Sequence, residues 1–477
     1  MQKMYAGGRL RALREQRGLS QTGLAAALNL SVSYINQLEN DQRPLTVTVL
    51  LRLNSTFDLD MQFFAADTDA RLLADLQEVF AEDPEGTTIS TTEIDELASR
   101  IPAAARVLVG MHRRLRGATE QLERVTADLD APTTGRHTTD AATTMPYEDV
   151  RDFFYDHRNH IPELDTAAEE LYARSGFTLG GMDLQLTRLL REEHDIAVAI
   201  RTDPPDRPGP KRSFDPGTRI LTLARRLAPG QRAFQLATQL AFRTQTDTID
   251  TIIARAESLG PQSRGLLRVG LANYFAGALI LPYTDFRDRA ESLRYDIDQL
   301  SSTFEVGFET VCHRLSTLQR HGKRGVPFLF VRTDRAGNIS KRQSATAFHF
   351  SRVGGSCPLW VVHEAFATPG RIRTQVAEMP DGRTYLWLAR TTDEGTPGYL
   401  CAKREFAIGL GCDLTYAHKL VYSHGLAVDD PATAVPIGPG CKVCERTDCA
   451  QRAFPQLGRP IRVDENDALT IPYPPAR

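Results

Sequence analysis

Residues 20–39, SQTGLAAALNLSVSYINQLE, leave the chain little conformational choice. Ser20 and Ser31 each stand where a hydroxyl oxygen can accept the unpaired backbone N–H groups of a helix start. Leu24, Ala25 and Leu28 share one face of the first helix, and Ile35 and Leu38 share one face of the second. Asn29 and Leu30 fill the turn between them. Two short helices joined in this way predict a helix-turn-helix, whose second helix lies in the major groove of DNA. GRLRALREQRG upstream brings Leu10 and Leu13 to one face. VTVLLRLNSTFDLD, beyond Pro44, supplies a further helix, closing a unit over residues 1–65. Lys3, Arg9, Arg11, Arg14, Arg17, Arg43 and Arg52 outnumber Glu15, Glu39 and Asp41 by four within a chain whose net charge is −3. A local basic surface of this kind suits a phosphate backbone. Ser33, Tyr34, Asn36 and Gln37 on the second helix are the candidates for base edges, amides being suited to adenine, and Ser31, its cap, belongs to the same DNA-binding set. Gln21 and Arg43 are placed for phosphates.

At 477 residues the chain exceeds one ordinary core, and about three domains are expected. The opening stretch GGRLRALREQRG lacks the apolar core of a secretory leader, so none is expected. The longest apolar run, LANYFAGALILP at 271–282, falls short of the ~20 residues that span a bilayer. The expectation is a cytoplasmic protein without membrane contact, in a compartment where thiols stay reduced. Residues 66–130 read as a helical connector. Ile101, Ala104, Leu108, Met111, Leu115, Ala118, Leu122, Val125 and Leu129 recur in steps of three and four. Such a stripe serves either a dimerising coiled coil or a long helix packed against its own chain. The Thr-rich segment 131–146 reads as a flexible linker.

Residues 147–300 read as helix-rich around one loop, RTDPPDRPGPKR. RAFQLATQLAF followed by LANYFAGALILPY resembles the zinc-metallopeptidase-like domain that accompanies many helix-turn-helix units. In that family H-E-x-x-H sets two histidines on one helix face to hold zinc. The matching positions here are Thr238, Gln239 and Phe242, with no acid between 265 and 272. The resemblance implies a zincin-like helical fold without peptidase chemistry. HEAFA at 363–367 begins like the zinc motif but ends in Ala367, so His363 and Glu364 are expected in a strand or loop.

From residue 326 strand patterns take over. VPFLFVRTDRAGNISKRQSA predicts a hairpin turning at 334–338, and QVAEMPDGRTYLWLART a second turning at Pro380-Asp381-Gly382. KREFAIGLGCDL adds a strand and TYAHKLVYSHG a helix. The expected fold class is therefore multidomain, mainly α, ending in an α+β antiparallel-sheet domain at 320–477 that is PAS- or GAF-like by analogy. Within it, Cys441, Cys444 and Cys449 fall inside nine residues. Cys412 is the leading candidate for a fourth ligand, with Cys401 and Cys357 behind it. A closed zinc site takes four ligands, and an iron–sulfur cubane takes four thiolates or manages with three. Spacing leaves zinc and iron–sulfur both open.

The chain as a whole resembles the actinobacterial short-chain fatty-acyl transcriptional regulators. The resemblance is carried by LSQTGLAAALNLSVSYINQLENDQRPLTV, GLGCDLTYAHKLVYSHGL and GPGCKVCERTDCAQRAFP. It implies a cytoplasmic transcription factor whose C-terminal domain senses a short-chain acyl-CoA and carries a four-iron cluster on Cys441, Cys444 and Cys449. The helix-turn-helix and the stripe over 101–129 lead to a dimer on operator DNA, and the missing zinc ligands to a protein that is not an enzyme. An acyl-CoA needs a basic rim for its phosphates and an apolar slot for its tail. Arg332, Arg335, Lys341, Arg342 and Arg352 are the candidates for the rim. Phe328, Phe330, Phe348, Phe350 and Trp360 are those for the slot.

Overall fold

The computed structural model describes residues 7–40, 42–57, 67–81, 89, 91–129, 146–204, 209–256, 259–345, 356–393, 404–456, 459–463, 466, 470–471 and 473–474. The linker up to 145, Cys401, Phe348, Phe350 and Arg352 lie outside these residues. The chain forms two compact units, one built mainly from residues up to Leu115 and the other from Arg116 onward.

The first unit holds α1 (Gly7–Gln16), α2 (Gln21–Leu28), α3 (Val32–Glu39), α4 (Val47–Phe57), α5 (Asp67–Ala81), α6 (Thr91–Arg100) and the start of α7 (Pro102–Leu129). Ser20 Oγ accepts from Gly23 N at 3.0 Å and Ser31 Oγ from Tyr34 N at 3.2 Å, so both serines cap as expected. Asn29, with φ 51°, turns the chain between α2 and α3 in the left-handed region, which Asn tolerates better than most residues. Leu10, Leu13, Leu24, Leu28, Ile35, Leu38 and Leu53 form one core. Leu72, Leu76, Ile94, Ala98, Ala105 and Val109 form another. Along α7, Ala105 and Val109 are covered, whereas Met111 and Leu115 are 54% and 67% exposed, as is Ile101 just before it at 56%. Much of the apolar stripe that the sequence suggested thus faces away from its own unit.

The second unit opens with α8 (Pro146–Asp156), α9 (Pro162–Arg174) and α10 (Met182–Glu192), then β1 (Ala197–Arg201), β2 (Arg212–Asp215) and β3 (Ile220–Ala224). The sheet order is β1-β3-β2, with β1 parallel and β2 antiparallel to β3. These strands correct the expectation of helices around a loop. Each has only four or five residues, too few for a period of two to stand out beside a Pro-rich segment. α11 (Pro229–Thr244), α12 (Thr246–Arg255), α13 (Pro261–Ile280), α14 (Tyr283–Ser292), α15 (Ile297–Phe304) and α16 (Phe308–Leu315) follow. Among the described residues no single helix is long and apolar enough to cross a membrane. α13 is a core helix, with Leu271, Phe275 and Leu279 at 0% exposure.

Strands β4 (Leu329–Thr333), β5 (Ile339–Ser344), β6 (Arg373–Glu378), β7 (Thr384–Asp393), β8 (Glu405–Asp413) and β9 (Val435–Pro436) form a sheet in the order β5-β4-β8-β7-β6-β9. The two hairpins and β8 lie where the sequence placed them. The sheet is mixed, because β9 runs parallel to β6. Two further expectations are corrected. TYAHKLVYSHG forms 3₁₀ turns at Leu414–Lys419 and Val421–Ser423. His363 and Glu364 end a short helix, α17 (Val361–Glu364), where Val361 and Val362 are buried.

β8 shows how the sheet divides its faces. A Cβ at Gly411 would lie 2.6 Å from the Trp387 indole, and one at Gly409 would lie 2.7 Å from Val362. Only glycine lets that face close on Trp387 and α17. The alternate residues Ile408, Leu410 and Cys412 point the other way. There they join Leu386, Leu388, Phe328 and Phe330 in one continuous core with α9, α11 and α13. The expected boundary near residues 300–320 is therefore no gap in packing.

Candidate functional site

α3 presents the DNA candidates. Ile35 and Leu38 are buried, Ser31, Ser33 and Asn36 are exposed, and Tyr34 and Gln37 are half-buried. Asn36 Oδ1 accepts from Asn40 Nδ2 at 2.8 Å, and the Arg43 guanidinium lies 5.6 Å from the Tyr34 ring centre. Gln21 is occupied inside the fold. Its Nε2 donates to Glu39 Oε2 at 2.8 Å, and Glu39 also receives Arg14 Nε at 2.7 Å with no side-chain exposure of its own. Arg14, which the charge count treated as surface charge, thus supports α3 from beneath.

On the second unit a cavity of about 1070 Å³ opens between the helices and the first hairpin. Val150 and Phe154 of α8, Phe234 of α11, Tyr274 of α13 and Phe308 of α16 give it an apolar wall. Arg151, Lys211, Arg314, Arg332, Lys341, Arg342 and Arg390 line it against Glu309 and Glu405. Some of these charges are tied to the frame. Arg332 Nη1 donates to Glu309 Oε1 at 3.1 Å, and Arg390 Nη1 to Asp298 Oδ1 at 2.6 Å. Arg314, 3% exposed, donates Nη2 to the buried Asp165 at 2.8 Å and Nε to Leu281 O at 2.9 Å. Burial alone would raise the Asp165 carboxyl, but Arg314 and His160 overcome it and hold the pKa at about 2.

The peptidase-like helix passes this cavity without its metal ligands. Thr238 Oγ1 donates to Phe234 O at 2.7 Å and to Asn273 Oδ1 at 3.3 Å. Gln239 is 6% exposed, and Phe242 lies under the Arg212 guanidinium at 5.3 Å. Of the expected acyl-CoA residues, Arg332, Lys341 and Arg342 line the cavity. Trp360 does not: it is 2% exposed and packs edge-on against Trp387, centroids 4.8 Å apart, on the α17 face of the sheet. Arg335 pairs with Glu405 at 2.7 Å. Phe328 and Phe330 are fully buried core. Arg151, Phe154, Lys211 and Arg390 escaped sequence reasoning because no local pattern links elements so far apart in the chain.

The cysteine loop follows β9. Cys357, Cys441, Cys444 and Cys449 line one small hollow together with Gly438 and Arg452. Cys412 is the correction here. Strand alternation points it into the shared core at 0% exposure, away from that hollow, and burial pushes its thiol far up. The residue that joins the three is Cys357, 84 positions upstream of Cys441 in the sequence. Burial raises the Cys357 thiol, while the backbone N–H groups of Leu359 and Gly438 pull it back. Burial likewise raises Cys444, opposed by Arg446 N–H and by the charges of Arg452 and Arg446. Ala453 N donates to Cys441 Sγ at 3.4 Å. Arg452, 3% exposed, donates to Cys441 O at 3.1 Å and Cys444 O at 3.0 Å. Arg446 ties the loop to β6 through Glu378 O at 2.8 Å. A Cβ at Gly438 would meet Cys444 Sγ at 2.5 Å. Among the described residues no three His, Cys, Asp or Glu side chains already close on a single point, so the four thiols surround a hollow without gripping one ion. A thiophilic group fits this donor set: four sulfurs, backbone N–H groups aimed at three of them, and cations behind.

A capped helix-turn-helix in one unit, with a basic cavity and four clustered cysteines in the other, fits a DNA-binding regulator. Residues 10–64 match the helix-turn-helix family, 191–316 the IrrE N-terminal-like domain, and 317–473 the short-chain fatty acyl coenzyme A regulator C-terminal family. The chain is 57% identical to the HTH-type transcriptional regulator PrpR of Mycobacterium tuberculosis, over 99% of this chain and 96% of that one. It is 49% identical to RamB of the same species, over 99% of each. It is 40% identical to a propionyl-CoA carboxylase regulator of Cereibacter sphaeroides, again over 99% of each. A solved Mycobacterium tuberculosis transcriptional regulator superposes with TM-score 0.66 at 61% identity, covering 69% of this chain and 99% of its own. The chain belongs to the short-chain fatty acyl coenzyme A regulator family of helix-turn-helix transcriptional regulators.

Proposed function

We propose that this regulator holds its operator through α3 with an affinity set by a short-chain acyl-CoA bound in the cavity of the second unit. The observation that carries the reading is the cavity. Its volume suits a nucleotide-sized ligand, its aromatic wall suits a short acyl tail, and its surplus of Arg and Lys suits phosphates. In this division of labour residues 1–65 contact DNA. Residues 66–130 pair two copies through Ile101, Met111 and Leu115 of the exposed stripe. Residues 147–300 and 320–477 together form the sensor, in the cytoplasm. The peptidase-like part acts as scaffold and performs no hydrolysis, since Thr238, Gln239 and Phe242 cannot activate water at a metal. The test is a titration of propionyl-CoA into the dimer with and without operator DNA. Affinity should change, and DNA affinity should change by the same factor in the reciprocal titration. Equal affinities in both arms, or no binding, would sink the reading.

We further propose that Cys357, Cys441, Cys444 and Cys449 hold a four-iron cluster, with structural zinc as the other reading. When bound, the cluster supplies one-electron chemistry and a covalent tie between the residue 357 segment and the loop. Burial raises the Cys357 and Cys444 thiols, and the N–H groups of Leu359, Gly438 and Arg446 work against it, with the Arg452 and Arg446 charges acting on Cys444. Anaerobically purified protein should show broad visible absorption. Colourless protein containing zinc would favour the other reading.

A further inference from the structure

Lys341 stands on β5 in the cavity wall, its Nζ 5.6 Å from the centre of the Phe330 ring. The far side of this neighbourhood is α16, which contributes Glu309 and His313 to the same cavity. His313 meets the Phe330 ring edge-on with centroids 5.6 Å apart. The charged groups facing Lys341 are Glu309 from α16 and Arg332 from β4, and His313 also senses Arg314. Burial lowers the Lys341 ammonium, Glu309 opposes and Arg332 reinforces, and the result is a pKa of about 8. Burial, with Lys341, Arg314 and Arg332 nearby, keeps His313 neutral well below the usual imidazole range. The lowered pKa leaves more of the Lys341 side chain as free amine near neutral pH than an ordinary lysine carries, on a cavity wall that it shares with Glu309 and His313 of α16. A lysine that only bound phosphate would gain from remaining an ammonium.

We propose that Lys341 is a covalent acylation site, its Nζ attacking the thioester carbonyl of an acyl-CoA held in the cavity. The inference rests on the acyl-CoA reading of that cavity. The new N–C bond forms as the C–S bond breaks. The proton released by the amine goes to the departing thiolate, so the products are an amide and the free thiol of CoA. Nothing is oxidised or reduced. The amide removes one positive charge from the cavity wall, so the acylated chain holds the next acyl-CoA less tightly.

The experiment incubates the full-length protein with propionyl-CoA and maps modified lysines by peptide mass spectrometry. In parallel, binding of an S-alkyl thioether of CoA, which cannot transfer its chain, is measured. The expected result is a propionyl group on Lys341 at a rate that saturates with propionyl-CoA and is blocked by the thioether. That rate should rise with pH through about 8 instead of near the usual 10.5. The label should disappear in Lys341→Arg. If the thioether binds while Lys341 stays unmodified, the acylation proposal falls and the acyl-CoA site stands. The same holds if label accumulates equally on exposed lysines such as Lys323 and Lys419. If the thioether does not bind, both fall.

Discussion

The peptidase-like helices and the cysteine loop are opposites. Around α11 and α13 the apolar frame is complete, with Leu236, Leu240, Leu271 and Phe275 at 1% exposure or less, yet the positions that would hold zinc carry Thr238, Gln239 and Phe242. Around 436–452 the possible ligands are present and the frame is thin: of its apolar side chains Ile437 is fully buried, and much of the remaining order comes from Arg446, Arg452 and hydrogen bonds to sulfur. A core does not need metal chemistry to hold together, because burial of apolar area stabilises it regardless. A loop built on ligands has no such reserve and depends on what the ligands hold.

The largest expected effect lies on the loop side. Cys357→Ala should abolish the visible absorption expected of the proposed cluster and release residues 437–456 to protease, since ligation at such sites contributes on the order of 10 kcal/mol to folding. Cys412→Ala should leave spectrum and loop intact and cost only about 1 kcal/mol of core packing. Equal loss of colour in the two variants would reinstate Cys412 as the ligand. On the frame side, Phe275→Ala should lower the denaturation free energy by about 3–5 kcal/mol with the spectrum unchanged. A coupled loss of colour would show that the two regions are one cooperative unit.

Acid separates them more finely. The folded pKa of Asp165, about 2, lies below its usual 3.8. Its contribution is therefore fully present above pH ~4 and is lost as pH falls toward 2, amounting to about 2 kcal/mol. A denaturation series should show this slope in wild type and not in the doubly neutral Asp165→Asn, Arg314→Met variant. The smallest effect belongs to the first unit. Gln37→Ala should leave stability unchanged and weaken operator binding by about 1 kcal/mol more than binding to random DNA, read by fluorescence anisotropy. Equal weakening on both would remove Gln37 from base readout.

The helix-turn-helix was legible because its signals are local: Ser20 and Ser31 cap within three residues, and Leu24, Leu28, Ile35 and Leu38 repeat at helical spacing. The hairpins were legible for the same reason, their turns lying within the stretches that also carry the strands. The three strands around RTDPPDRPGPKR were not, because β1 and β3 are joined only by tertiary pairing across about twenty residues.

By itself the sequence determined the helix-turn-helix, the loss of zinc ligands at Thr238, Gln239 and Phe242, and the trio Cys441, Cys444 and Cys449, since each depends on neighbours a few positions apart. Only the tertiary structure decided that Cys357 and not Cys412 completes the thiol hollow. The pleat of β8 must alternate its side chains, and the residues that close on Trp387 send Cys412 into the opposite face. The cavity was decided in the same way: its charges and aromatic rings come largely from α8, α11, α13, α16, β4, β5, β7 and β8, which meet only when one continuous apolar core draws helices and sheet together.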